Sequence, residues 1–221
     1  MVVVLYGSLF WFFWEYYFWR GKPLSLFSAN KALAIAAVVL FCLSGVFGPL
    51  HRFFGGLPRM VRLRRPFGIV AAFFALVHIG ISLWLLASDE HLISKKTLIG
   101  YLLTNWLSMI CGLAATIGFG ILWATSYTVT FQRFGPELWQ KLHALTWVFL
   151  ILVLLHFAVV GINFSTNPYG KISNWVKWFQ ERKPPLPPGT MIPFAIGMLA
   201  LLLKAADCFF TRRRKSSLNS C

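Results

Sequence analysis

Apolar and polar positions along this chain alternate on a long wavelength. Six stretches of about twenty residues are almost wholly apolar, and short segments rich in Gly, Pro, Lys and Arg separate them. Runs of this length are long enough to cross a bilayer, and a soluble core helix rarely needs them. The predicted spans are about Val2–Trp19, Lys31–Leu50, a third from the Arg64-Arg65-Pro66 start to Ala87, Gly100–Thr125, Glu137–Gly161 and Met191–Phe210. Proline in a first helical turn suits the start of the third. Breakers lie between spans: Gly55-Gly56-Leu57-Pro58, Phe134-Gly135-Pro136, and the Pro-rich run Lys183–Gly189. The predicted fold is therefore all-α, a polytopic six-helix bundle. The chain divides into residues 1–29 (first helix and loop), 30–165 (a central core) and 166–221 (Pro-rich loop, sixth helix and basic tail).

Composition sharpens this picture. The chain has 221 residues, 58% hydrophobic and 12% charged, far more apolar material than one water-soluble core takes up. A net charge of +15 sits in the loops and tail, not on a helix face. That excludes a nucleic-acid surface and fits topology control against anionic lipid head groups. Arg52, Arg59, Arg62, Arg64 and Arg65 crowd the start of the third span. The positive-inside rule then gives an N-in, C-in orientation, and a bacterial inner membrane is the expected location. The N-terminus has no basic n-region and is rich in aromatics, so it reads as a retained first span. Cys42, Cys111, Cys208 and Cys221 form no CxxC and read as small buried hydrophobes.

Candidate chemistry lies in the histidines. Ionisable residues at membrane depth are costly and mark function, and imidazole is the usual protein ligand of haem iron. His78, His143 and His156 all fall in apolar stretches. His78 follows Arg65 by thirteen residues and His156 follows Lys141 by fifteen. At 1.5 Å per residue both sit roughly 20 Å from the same membrane side, matched for one iron. His143 belongs to the opposite leaflet and could serve a second group. The turn-matched position on the third span is Arg64, not histidine, and His51 is another candidate partner. Thirteen residues separate His143 from His156 on one predicted helix, a rotation of about 220° that puts them on different stripes. His91 lies in a polar loop. Arg64 and Arg65 are candidates for haem propionates, with charge anchoring as the plainer role. Each histidine also has a plainer role, as a hydrogen-bonded packing residue.

These residues carry a family resemblance. The segment Val61-Arg62-Leu63-Arg64-Arg65-Pro66-Phe67-Gly68 followed by Ala75-Leu76-Val77-His78 resembles the Arg-x-Arg-Arg-x-x-Gly…His segment of the ferric reductase-like transmembrane family. Ala124-Thr125-Ser126, Arg133-Phe134-Gly135, Trp139-Gln140-Lys141-Leu142-His143 and Leu155-His156 are similar to its second motif. The likeness covers about residues 30–165 and is nearest to the MsrQ (YedZ) branch, the haem-binding membrane subunits of protein-methionine-sulfoxide reductase systems. It implies haem b, one or two per chain, with FMN or a quinone as further cofactors. It implies electrons taken from a cytoplasmic flavin reductase or quinol and handed to a periplasmic molybdopterin reductase. Relatives with fused flavin domains reduce ferric iron or oxygen. This chain differs in having no second third-span histidine, no room for a flavin domain and no glycine fingerprint for a nucleotide phosphate. The expected role is an electron-transfer subunit rather than a self-sufficient enzyme. The alternatives are a transmembrane subunit acting on ferric iron or another small acceptor, and a non-redox structural subunit.

Overall fold

A computed structural model of the chain describes residues 2–55, 58–88, 95–162, 178 and 186–218. These residues build eight helices and no strand: α1 (Val2–Trp19), α2 (Leu26–Phe54), α3 (Pro58–Arg62), α4 (Arg64–Ser88), α5 (Lys95–Thr125), α6 (Thr128–Ala144), α7 (Thr146–Ile162) and α8 (Met191–Leu218). The chain is an all-α, multi-pass integral membrane protein. Among the described residues five stretches are long and apolar enough to span a bilayer, on α2, α4 with the end of α3, α5, the α6–α7 pair and α8. The first predicted span keeps its expected limits as α1 but stands outside this group, because Trp, Tyr and Glu15 dilute its apolar character. It packs on the bundle all the same.

The fifth span departs from expectation. Rather than one rod it is two helices, with Leu145 between them (φ −67°, ψ −11°). The Thr146 hydroxyl donates to the His143 carbonyl at 2.6 Å, which draws backbone bonding away from a regular turn. Within α6, Gly135 takes φ 75° and ψ 165° just before Pro136. Only glycine reaches that conformation cheaply, and the proline then opens a new helical run. His143 and His156 therefore belong to separate helices.

The centre of the bundle is α2. Buried residues make up 67% of its most apolar window, against 17–33% in the other four spans. It starts in a reciprocal capping box between Ser25 and Ser28, and the Trp14 indole N–H donates to Ser28 Oγ at 3.1 Å. Around it gather α1, α4, α7 and α8. The core joins Leu40, Phe41, Phe67, Ala71, Phe119 and Leu150, with Phe41 and Phe119 edge to face at 4.5 Å.

Lipid offers no hydrophobic drive between helices, so close approach depends on small residues. The seams show this directly. Gly45 lies against the Trp147 ring, Gly118 against Phe149, and Gly197 against Leu154. On the Arg-rich side a charged clasp joins α2 to α8. Arg52 Nε donates to Asp207 Oδ1 at 2.7 Å, Arg52 Nη2 bonds Oδ2, and Lys204 stands 3.7 Å from the same carboxylate. At the opposite end the Tyr16 hydroxyl bonds the Pro187 carbonyl, tying α1 to the approach of α8.

Two glycines on α5 separate packing from propensity. A methyl at Gly118 would enter the Phe149 ring, whereas one at Gly120 meets nothing within 4 Å. Gly118→Ala should therefore destabilise the detergent-solubilised protein by about 1–3 kcal/mol. Gly120→Ala should be neutral or stabilising by up to about 1 kcal/mol. Thermal unfolding of both variants in one detergent checks the pair, and equal effects would contradict the α5–α7 seam.

Candidate functional site

Two partly buried histidines are held by the same device. His78, on α4, places Nδ1 at 3.0 Å from the Asn30 carbonyl oxygen and 2.9 Å from Asn30 Oδ1 on α2. His156, on α7, places Nδ1 at 2.8 Å from the Ser108 carbonyl oxygen and 3.0 Å from Ser108 Oγ on α5. A carbonyl oxygen can only accept, so each Nδ1 carries the proton. The lone pair of each ring is then on Nε2, and no hydrogen bond is made there among the described residues. Neutral imidazole with Nδ1–H tied to a carbonyl is the form in which histidine binds a metal. The two rings lie within electrostatic reach of each other.

Backbone space lets this happen. Gly112 lies one turn beyond Ser108 on α5, and a Cβ there would stand 2.9 Å from His156 Nδ1. The glycine thus admits the imidazole edge to the helix backbone. On α4, Ala71, Ala72 and Ala75 keep the approach to α2 close.

The Arg-rich side is arranged differently. His143 stacks on Trp139, one turn earlier on α6, with ring centres 4.1 Å apart. Its Nε2 lies 3.4 Å from Thr125 Oγ1. Thr125 gives its own proton to the Ile121 carbonyl at 2.8 Å, so it accepts from His143. The Trp139 indole N–H donates to the Thr125 carbonyl at 3.0 Å, closing a small cluster at the end of α5. Arg64 is within electrostatic reach of His143. Its Nε donates to the Ser44 carbonyl at 3.1 Å, while the Ser44 hydroxyl donates to the Arg64 carbonyl at 2.7 Å. Gly48 makes room for the Arg64 guanidinium, whose Nη1 would lie 3.2 Å from a Cβ there.

The predicted residues thus fall into two groups. His78 and His156 come together, and His143 keeps company with Arg64 instead. Arg65 is exposed and engaged elsewhere. His51 has a buried Nδ1 without a hydrogen-bond partner among the described residues. His91 lies outside the described residues. No group of three or more His, Cys, Asp or Glu gathers among the described residues. Sequence reasoning missed Asn30, Ser108 and Gly112. Ser108, a polar residue inside an apolar run, carried the same signal that exposes the histidines; Asn30, just ahead of the predicted second span, and Gly112 carried none.

Ser108→Ala leaves the carbonyl acceptor of His156 in place and should cost about 1 kcal/mol or less. Gly112→Ala forces the ring or the helix to move and should cost about 1–3 kcal/mol. The comparison is made by thermal unfolding of the two variants. A harmless methyl at Gly112 would contradict the contact.

The family model described as ferric reductase like transmembrane component matches residues 30–154, more than half the chain. No curated protein sequence matches it significantly. The chain belongs to the ferric reductase-like transmembrane family.

Proposed function

We propose that this member of the ferric reductase-like family is a b-type membrane cytochrome that relays single electrons across the bilayer. The observation that carries the reading is the shared geometry of His78 and His156: each Nδ1 is anchored on a neighbouring helix, and neither Nε2 makes a hydrogen bond among the described residues. Such a donor set fits haem b, which would be held between the two histidines. When bound, the haem supplies a one-electron iron couple.

The protein's own residues do the rest. Asn30 and the Ser108 carbonyl orient the two ligand rings from neighbouring helices. Apolar helices keep water from the centre. The Arg-rich end is the side for the electron donor, a cytoplasmic flavin reductase or quinol. The acceptor on the far side is an extracytoplasmic reductase, in the manner of MsrQ-type subunits that serve methionine sulfoxide repair. His143 and Arg64 mark the place of a second redox group, which would be a second haem, FMN or a quinone. Ligation of iron by His143 Nε2 would require it to leave Thr125. Arg64 and Arg65 are the bases suited to propionate or phosphate oxygens. The family's description favours one other reading, direct reduction of ferric iron or a similar small acceptor. That reading is distinguished by turnover of ferric chelates by the purified chain alone.

The decisive measurement is haem content. Purified protein should show a dithionite-reduced b-type spectrum and a whole number of haems per chain by pyridine haemochrome. His78→Ala and His156→Ala should each remove one haem while the protein stays monodisperse. His143→Ala should leave the haem of the His78–His156 pair in place. Full haem in both ligand variants would sink the assignment.

A further inference from the structure

Asn30 does more than fill space beside His78. It is 5% exposed and lies on the second turn of α2. Four groups form a closed circuit. The Ser82 hydroxyl donates to the His78 carbonyl at 2.8 Å. Having spent its proton, Ser82 Oγ can only accept from Asn30 Nδ2, which lies at 2.8 Å. The amide nitrogen therefore faces Ser82, and Oδ1 must face His78 Nδ1 at 2.9 Å. Hydrogen-bond logic thus leaves the amide a single orientation. The Asn30 carbonyl accepts from the same Nδ1–H at 3.0 Å. One proton is shared between two oxygens of one residue.

We propose that Asn30 is a positioning residue for the His78 ligand: it locks the Nδ1–H tautomer and, by drawing on that proton, sets the electron donation of Nε2 and hence the reduction potential of the bound haem. The proposal rests on the haem reading above. An acceptor on the far nitrogen of a ligand histidine raises its basicity. A more basic ligand favours ferric over ferrous iron, so the Asn30 side chain holds the potential low. Ser82 serves the same end indirectly, because it keeps the amide from turning its N–H₂ toward the ring.

The test uses the full chain with haem bound, in detergent or nanodiscs. Potentiometric titration and the low-spin ferric electron paramagnetic resonance spectrum are recorded for wild type, Asn30→Ala and Asn30→Asp. Asn30→Ala removes Oδ1 but keeps the backbone acceptor. It should retain haem, raise the midpoint potential and shift the resonance g values. Asn30→Asp keeps an oxygen on Nδ1 and should leave the potential at or below that of wild type. If Asn30→Ala does not yield haem-loaded protein, Ser82→Ala carries the test, with a rise expected. Unchanged potential and g values in Asn30→Ala at equal haem content would overturn the proposal. So would an equal rise in Asn30→Asp, or no change in Ser82→Ala. A wild-type preparation without haem is a different result, since it removes the reading on which the proposal rests.

Discussion

A hydrogen-bonding group placed in hydrocarbon must find its partner inside the protein, because no water is there to supply one. Much of this bundle follows from that constraint. His78 reaches across to Asn30, His156 to Ser108, Trp14 to Ser28, Arg52 to Asp207 and Trp139 to Thr125. Each bond joins two helices, so each polar residue that an apolar run tolerates becomes a fastener. Glycines at the seams let the fasteners reach. Greasy surface elsewhere adds little direction, since lipid competes equally for it.

The spans were legible because twenty apolar residues in a row admit few other readings. Their limits agree with the structure within a few residues for most of them, and α1 agrees at both ends. The broken fifth span was harder. Its Gly135-Pro136 start is visible in sequence, but the interruption at Leu145 depends on a Thr146–His143 bond that no periodicity announces. The short α3 also went unseen, because Pro58–Arg62 reads only as a basic loop. For the histidines, counting residues from the flanking charges gave matched depth for His78 and His156. It could not give Asn30 or Ser108. Each precedes its histidine by forty-eight residues, a spacing set by helix and loop lengths with no local meaning.

The three apolar-stretch histidines are thus not alike. Two make no Nε2 hydrogen bond among the described residues, and one spends Nε2 on a threonine beside a tryptophan. Arg64 stands at the turn-matched position where a second histidine is absent, within electrostatic reach of His143. An arginine there brings positive charge to the half of the bundle nearer the basic loops. Anionic groups would be drawn to that end, while the His78 and His156 rings are met by the neutral polar groups of Asn30 and Ser108.

The Arg52–Asp207 clasp also has a history in time. Arg52 leaves the ribosome 155 residues before Asp207. At about 5–20 residues per second, roughly 10–30 s pass before its carboxylate exists. Throughout that interval α2, the helix on which the others pack, has its basic end without this counter-ion. The arrival of α8 then does two things at once: it gives Arg52 its carboxylate and seats Gly197 on Leu154. A chain halted before Asp207 would therefore hold its central helix with Arg52 deprived of this partner.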